Sequence, residues 1–555
     1  MDPVIQPTQS EPGDRAALPA SAGSPETDSP SPQSSGWLDG RASAIFSILS
    51  GFLVFAVVIS RNTWIFSTRV SESGDFAANS ILVDKASQFD LLVGHESRLG
   101  FHHPGPFFLY VQSWGETLFH DITGLVPGEF NAQVLSIVVL NSVLAGLCAF
   151  IVGRRVRPVW LCLIVPVAVL AIPMLLPGAL TSTWPPHAFV MPFLLLLIAS
   201  GSVLGGQTKD LPFAILAMCM LGHGYVSFAV FVIAFAAVIT LGLIVRWRRG
   251  NLRLSRGTII ASAVILAVFV LPIVLNLILN WPGEIAKYVE VAQDVHSHTI
   301  GQAARFFSAL FEGQTSSALS YGVAALALIL ASLLAVLAKR TQPDASRLLV
   351  GMLAAAVLAT FLTVYYVMFG MDDLRPTFTY AAWFFYAVPA TIGIVLGLGL
   401  GVQASKRRVW QALFAVVIAL LAVVTVSAPG QAAAYLGDRD IAPATKFIAE
   451  QTPPGGQVIL SFKGLALVPT LGIAEEANRT GLNVCIDNAV PSDVGAHVFT
   501  PERMCTDAQM AAGRVVQVST LKVGEPIPPK LKDSYVGTMP LWDPQIDRFI
   551  VSFSN

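Results

Sequence analysis

The chain has 555 residues, a net charge of −1 and only 12% charged residues, with a mean hydropathy of +0.65. Soluble proteins carry about a quarter charged residues, so the composition excludes an ordinary soluble domain and reads as an integral membrane protein. The near-zero charge excludes a globally basic nucleic-acid binder, and no Gly-rich phosphate cradle stands out, so no nucleic-acid partner is expected.

Residues 1–40 are rich in Pro, Ser, Gly and acidic side chains, with almost nothing to bury, and are expected to form a disordered cytoplasmic tail. They are too polar for a cleaved signal sequence, so the first apolar helix is expected to stay as an anchor.

A bilayer crossing needs about twenty apolar residues. Stretches of this kind fall at 42–60, 131–152, 158–176, 187–204, 210–223, 225–245, 258–280, 317–338, 348–369, 378–402 and 409–428. The run from 210 to 245 is too long for one crossing and is divided at "LGHGY". Alternate loops then hold about fifteen basic residues in "RRVR", Lys209, "RWRRGNLRLSR", Lys339, Arg340, Arg347 and "KRR", against about seven in the longer loops between them. The basic loops belong in the cytoplasm, which places the amino terminus inside and the last 125 or so residues outside. The expected fold is therefore an α-helical polytopic membrane protein of about eleven transmembrane helices over 41–428, with a long first outer loop at 61–130, followed by an extracytoplasmic domain at 429–555.

Within the first outer loop, "PFFLYVQSWGETLF" (106–119) is apolar but short, with Gln112 and Glu116 at helical spacing. It is expected to lie along the outer interface, since a crossing there would invert every later loop.

The same loop concentrates the ionisable residues. Asp75 stands just past the first helix in "SESGDF", where Gly74 lets the backbone turn tightly. A carboxylate at the lip of a membrane cavity is suited to take a proton from a sugar hydroxyl; Asp is also a favoured helix cap. "GFHHPGPFF" presents His102 and His103 from a rigid Pro-Gly-Pro corner, for phosphate binding, a proton relay with Asp75, or contacts to backbone carbonyls. Metal ligation is disfavoured because no spacing of further ligands accompanies them. Further polar residues lie at the outer ends of the crossings. "TSTWPPHAF" brings Trp184 and His187, "GHGYVS" brings His223 and Tyr225, and "GMDDLRPTFTY" brings Asp372, Asp373, Arg375 and Tyr380. Trp184 reads as an interface anchor, whereas His223, between glycines in an apolar run, reads as functional. Arg375 is the best phosphate clamp among the outer cations, or a salt-bridge partner of its neighbouring aspartates. The loop 280–307 adds Lys287, with Tyr288 and Arg305 as secondary candidates.

In the last region, "APATKFIAEQTP" reads as an amphipathic helix, and "QVILSF", "VVQVSTL" and "RFIVSF" as short strands, giving a small α/β domain. Cys148, Cys162 and Cys219 sit in apolar helices as small hydrophobes. Cys485 and Cys505 lie in the polar region and are expected to pair if it faces an oxidising compartment.

This layout resembles the GT-C glycosyltransferases, polytopic enzymes that move a sugar from a polyprenyl-phosphate donor to an acceptor on the outer face. "GFHHPGPFFLY", "STWPPHAFVMPFLLLL" and "LGHGYVSF" look like segments of a poorly characterised bacterial branch of that superfamily. The resemblance covers roughly 41–428 and implies several things. The chain would be a multi-pass protein of the bacterial inner membrane, with membrane lipids around it. Its partners would be a polyprenyl-phosphate-linked sugar and a cell-envelope glycan or lipid acceptor. The family's first-loop acidic residue matches Asp75, whose expected role is general base of an inverting transfer, with His103, His223 or Arg375 offsetting the leaving phosphate. Many members pair two acids in this loop, whereas here Glu72 is the nearest companion, so no cofactor is fixed and a divalent Mg or Mn stays open. The rival reading is a transporter or flippase of a lipid-linked or small polar substrate. Against it, no internal repeat is evident and the ionisable residues gather at one face rather than at mid-bilayer.

Overall fold

The computed structural model of the chain describes residues 35–97, 99–293, 297–311, 317–427, 440–488, 499, 501–539 and 545–554. Residues 1–34 of the expected tail lie outside the described residues, and helix α1 (Ser35–Arg61) already includes the tail's last few.

After α1 come a single turn, α2 (Trp64–Ser67), then α3 (Gly74–Ser87) and a small hairpin of β1 (Glu96–Ser97) and β2 (Phe101–His102). Next is α4 (Phe107–Gly115), which runs into a π-helical turn over Glu116–Ile122, and then α5 (Glu129–Gly153). The bundle continues with α6 (Ile164–Leu175), a short α7 (Pro185–Ala188), α8 (Val190–Leu204), α9 (Leu211–Gly224), α10 (Phe228–Arg248) and α11 (Arg256–Leu279). Its remaining helices are α12 (Glu284–Gln293), α13 (Ile300–Leu310), α14 (Ser317–Ala338), α15 (Pro343–Phe369), α16 (Ala387–Ala404) and α17 (Arg408–Val426).

Among the described residues, eight helices are long and apolar enough to cross a membrane, and Val159–Leu175 and Gly322–Ala338 are shorter apolar helices. With α9 these are the eleven apolar stretches of the sequence, each now a helix. The division at "LGHGY" is real. Helix α9 ends at Gly224, Tyr225 is extended, and α10 starts at Phe228.

Contacts between loops give each end of the bundle its membership. At one end Arg154 and Arg155 meet Asp210, the Arg157 N–H donates to Gln342 at 2.8 Å, and Arg246 donates to the Leu204 carbonyl at 2.8 Å. The basic loops thus converge. At the other end the His102 N–H donates to Glu284, and the Asp75 carboxylate meets Trp184. Helix α5 connects the two ends, and its 25 residues span about 37 Å at 1.5 Å per residue.

The carboxy-terminal domain starts with α18 (Ile441–Gln451) and continues through β3 (Val458–Phe462), α19 (Leu467–Thr480), β4 (Val484–Ile486), β5 (Arg514–Lys522), β6 (Tyr535–Thr538) and β7 (Ile546–Phe553). The sheet order is β4-β3-β5-β7-β6, parallel around β3 and antiparallel around β7. The helix and three strands expected from the sequence are α18, β3, β5 and β7; α19, β4 and β6 are additional. Cys485 and Cys505 are disulfide-bonded, with Cα atoms 4.9 Å apart. Ala77 and Ile81 of α3 are buried in the same apolar core as Ile441, Leu471, Val516 and Phe549. The first loop therefore supplies part of this domain's own core. Since that loop and the domain share an end, the helices between them must cross an even number of times, and the ten apolar helices from α5 to α17 satisfy this.

A buried ionic cluster completes the joint. Arg479 of α19 binds Glu72 at 2.6 Å and Glu475 at 3.4 Å, with Glu116 at 3.8 Å. Arg503 binds Asp84 and Glu475, each at 3.0 Å, and Arg69 binds Glu476 at 2.9 Å. Buried carboxylates survive only when paired in this way.

Candidate functional site

Helix α3 opens at Gly74, whose φ of +53° is cheap only without a Cβ, directly after Ser73 in an extended conformation. That corner places Asp75 in the first turn, where the unpaired backbone N–H groups favour a carboxylate. Its side chain looks outward to another part of the chain. The Trp184 indole N–H donates to Asp75 Oδ2 at 3.0 Å. The Asp75 side chain is open to solvent by area yet ringed by protein at longer range, the situation of a group in a recess. Desolvation there raises its pKa above the usual carboxylate range, and the Trp184 hydrogen bond pulls the other way.

Two prolines fix Trp184. Pro185 and Pro186 open α7, and a residue before proline is held extended. The Trp184 ring centroid lies 5.0 Å from Tyr380, 5.5 Å from Trp383 and 5.8 Å from His187, while His187 lies 4.6 Å from Trp383. Tyr380 and Trp383 come from the 3₁₀ stretch Pro376–Tyr386. Neither buried ring nitrogen of His187 has a hydrogen-bond partner of full geometry, although the Pro177 carbonyl is nearby. Asp75 and His187 are thus brought together through Trp184, with two further aromatic faces alongside. Beneath, Phe193 and Phe228 each lie 4.9 Å from Phe384, forming an apolar floor.

Three other predicted residues form a joint between the first loop and the α9–α10 break. The Gly105 N–H donates to the His223 carbonyl at 3.1 Å, and the Val226 N–H donates to His103 Nδ1 at 3.4 Å. His223 Nε2 lies 2.6 Å from the Phe269 carbonyl, and the His103 and Tyr225 rings are 4.4 Å apart. Gly105 packs so tightly on the His223 ring that a Cβ there would stand 2.2 Å from Nδ1. Burial, with His95 and His102 nearby, lowers the His103 pKa to about 3, so its imidazole is neutral at ordinary pH. Tyr366 interacts with both Tyr225 and Tyr380, and so links this joint to the aromatic group around Asp75.

His102 and Lys287 make a third group. The His102 backbone N–H donates to Glu284 at 2.9 Å, its ring stands 3.6 Å from Glu284 and 4.0 Å from Glu96, and Lys287 pairs with Glu284 at 3.4 Å. The Tyr288 hydroxyl donates to the His102 carbonyl, closing α12 over β2. Arg375 stands apart. It is 72% exposed, takes Asp373 through two nitrogens at 2.8 and 2.5 Å, and lies over the Phe378 ring at 5.2 Å.

Glu72 does not accompany Asp75, because Arg479 holds it in the ionic cluster. Asp75 therefore offers one carboxylate among aromatic rings, and among the described residues no group of three or more His, Cys, Asp or Glu side chains could hold a metal ion.

Two features escaped the sequence reading. Trp184, which reads as an interface anchor in the sequence, donates its indole N–H to Asp75, and its two neighbouring prolines are the sequence signal of a fixed ring. His95 is buried on Asn79 at 2.8 Å, one helical turn along α3 from Asp75. Nothing in its local sequence separates it from a surface histidine.

No protein-family model matches the chain, and no curated protein matches it. Among solved structures it is similar to ArnT from Cupriavidus metallidurans bound to undecaprenyl phosphate, at 15% identity and a TM-score of 0.44, covering 93% of this chain and 98% of that one. ArnT in the apo state gives 14% identity and a TM-score of 0.45 over the same shares. The archaeal oligosaccharyltransferase AglB from Archaeoglobus fulgidus, in complex with an inhibitory peptide and a dolichol-phosphate, gives 12% and 0.39, covering 87% of this chain and 70% of that one. These likenesses are distant, and the functional reading rests on the geometry of the site.

Proposed function

We propose that the chain is a GT-C-type membrane glycosyltransferase. It transfers a sugar from a polyprenyl-phosphate donor to a glycan or lipid acceptor of the cell envelope, on the outer face of the inner membrane, with Asp75 as general base. One observation carries this reading: Asp75 stands at one end of the bundle with one oxygen fixed by Trp184, and the protein around it raises its pKa by desolvation. A base works best when its pKa approaches the operating pH. The second carboxylate oxygen is the one available to an acceptor hydroxyl. The hydroxyl proton passes to that oxygen, the hydroxyl oxygen bonds to the anomeric carbon, and the bond from that carbon to the lipid phosphate oxygen breaks with inversion. The polyprenyl phosphate leaves with the electron pair.

The faces of Trp184, Tyr380 and Trp383 supply flat apolar surfaces for the C–H side of a sugar ring. His103 stays neutral and offers hydrogen bonds rather than charge. Arg375 stands apart from Asp75 in this structure and would have to leave Asp373 to meet the leaving phosphate, whose oxygens suit the same paired geometry. The test is transfer from a radiolabelled polyprenyl-phosphate sugar in membranes holding Asp75→Asn. Loss of transfer at normal expression supports the reading, and undiminished transfer rejects Asp75 as the base.

A further inference from the structure

The bundle end opposite Asp75 holds a cavity of about 410 Å³. Arg154, Arg155, Arg157, Lys209 and Arg253 line it, with Ser43 of α1, and none of its lining residues is acidic. Asp210, fully buried, is already taken by Arg154, by Arg155 at 3.3 Å and by the Ser202 hydroxyl at 2.6 Å. Asp344, which also acts on Arg155, pairs with Arg347 at 3.2 Å. One carboxylate is thus shared between two guanidinium groups, and three further cations face the same space.

A basic loop at this end needs no special explanation, since inner loops are rich in Lys and Arg. Convergence does. Here half-buried Arg154 and Arg155 and exposed Arg157, Lys209 and Arg253 line one open cavity, whose volume lies in the range of small-ligand sites. Arg154 Nε, Arg155 Nε and Ser43 Oγ, on three of its lining residues, are buried behind its surface without a hydrogen-bond partner. Burial, and then the neighbouring Arg154, bring Arg155 down to about 10, with Asp344 pulling the other way.

We propose that this cavity binds a phosphate group, carried by an anionic membrane lipid or free in solution. Guanidinium groups match phosphate oxygens through paired donors, and a lysine adds a point charge. The position favours a lipid source, because the lining includes Gly40 and Ser43 at the start of the first apolar helix, and basic pockets between membrane helices accept anionic headgroups.

The experiment uses the full chain purified in detergent, with dioleoylphosphatidylglycerol, dioleoylphosphatidylcholine and inorganic phosphate as separate probes, read by native mass spectrometry and thermal shift. Lys209→Gln with Arg253→Gln removes two exposed cavity cations and leaves Asp210 its partners. Lys339→Gln with Arg340→Gln removes two exposed cations at the same end that do not line the cavity. The expected result is stoichiometric retention of phosphatidylglycerol over phosphatidylcholine. The cavity pair should weaken it about tenfold or more, the size of one lost charge-assisted hydrogen bond, and the control pair should leave it unchanged. Binding of inorganic phosphate as strong as that of phosphatidylglycerol, with the same loss in the cavity pair, supports the site and assigns it a soluble phosphate. Equal retention of both lipids, an unaffected cavity pair, or equal losses in the two variants would overturn the proposal. Unfolding temperatures without probe, matched to the parent chain, exclude misfolding as the cause.

Discussion

Arg479 of the carboxy-terminal domain and Glu72 of the first loop are 407 positions apart in sequence and form a buried pair at 2.6 Å, with 8% and 1% of their side chains exposed. The pair sits where α19 crosses the start of α3, so it holds the domain against the segment that carries Asp75. Removing one partner leaves the other charge buried and unpaired. Arg479→Gln is expected to lower stability by about 3–5 kcal/mol and to make the domain more susceptible to protease. Adding Glu72→Gln should recover part of that loss. Simple additivity of the two changes in thermal unfolding would show that the pair does not couple.

Glu116 gives the same joint a pH dependence. Burial raises its pKa from 4.5 to about 8, against the pull of Arg479 and the Gln133 amide, with Asp84 and Glu72 raising it further. The folded state therefore holds this proton more tightly than the unfolded state. The contribution is complete below about pH 4.5 and is lost as the pH rises through about 8. His95 and His103, lowered from 6.5 to about 3, act in the opposite sense, and their contribution fades only as the pH falls below about 6.5. Between pH 6.5 and 8 the histidine effect is flat; Glu96, raised by burial to about 7, also declines there, so the Glu116 contribution is read as the difference in slope between the parent and the Glu116→Gln variant. Glu116→Gln should flatten the decline of unfolding temperature across that window, and an unchanged slope would remove Glu116 from the account.

How much of this could be read from the sequence depended on whether the signal was local. The break at "LGHGY" was legible because glycines and an overlong apolar run coincide, and α9 does end at Gly224. The strands β3, β5 and β7 were legible as β-branched and aromatic runs. Helix α19 was not, because Pro469 interrupts its pattern and it is buried on several sides, including Glu475 and Glu476, which removes the amphipathic period. The ionic cluster was out of reach for a different reason. Arg479 and Glu72 are each ordinary in their own neighbourhoods, and only the packing of α19 on α3 makes them partners. Arg375 was legible as a cation beside aspartates, and it does bind Asp373.

Trp184→Phe isolates the hydrogen bond to Asp75, since phenylalanine keeps an aromatic face and loses the N–H. That bond favours the carboxylate, so its removal must raise the Asp75 pKa further. The acidic limb of the kcat/KM profile is therefore expected to move to higher pH, with transfer reduced on the acidic side of the profile and recovered at higher pH. A uniform loss at every pH would mean that Trp184 positions substrate without tuning Asp75.

Gly105→Ala tests whether the joint between the first loop and the α9–α10 break tolerates any movement. The new methyl would meet His223 Nδ1 at 2.2 Å and Cγ at 2.3 Å, inside contact distance. The ring has little room to yield. Its Nε2 is held 2.6 Å from the Phe269 carbonyl, and the Phe269 ring stacks edge-on at 4.8 Å. Overpacking of this kind costs about 1–3 kcal/mol, visible as a lower unfolding temperature in detergent. His223→Ala alone should also destabilise, by leaving a gap and an unmet Phe269 carbonyl. Combined, the methyl occupies space that the imidazole has vacated, so the double variant should be more stable than the sum of the two single losses predicts. Strict additivity would place the methyl and the ring in separate environments and remove the His223–Gly105 contact as the element that seats the first loop.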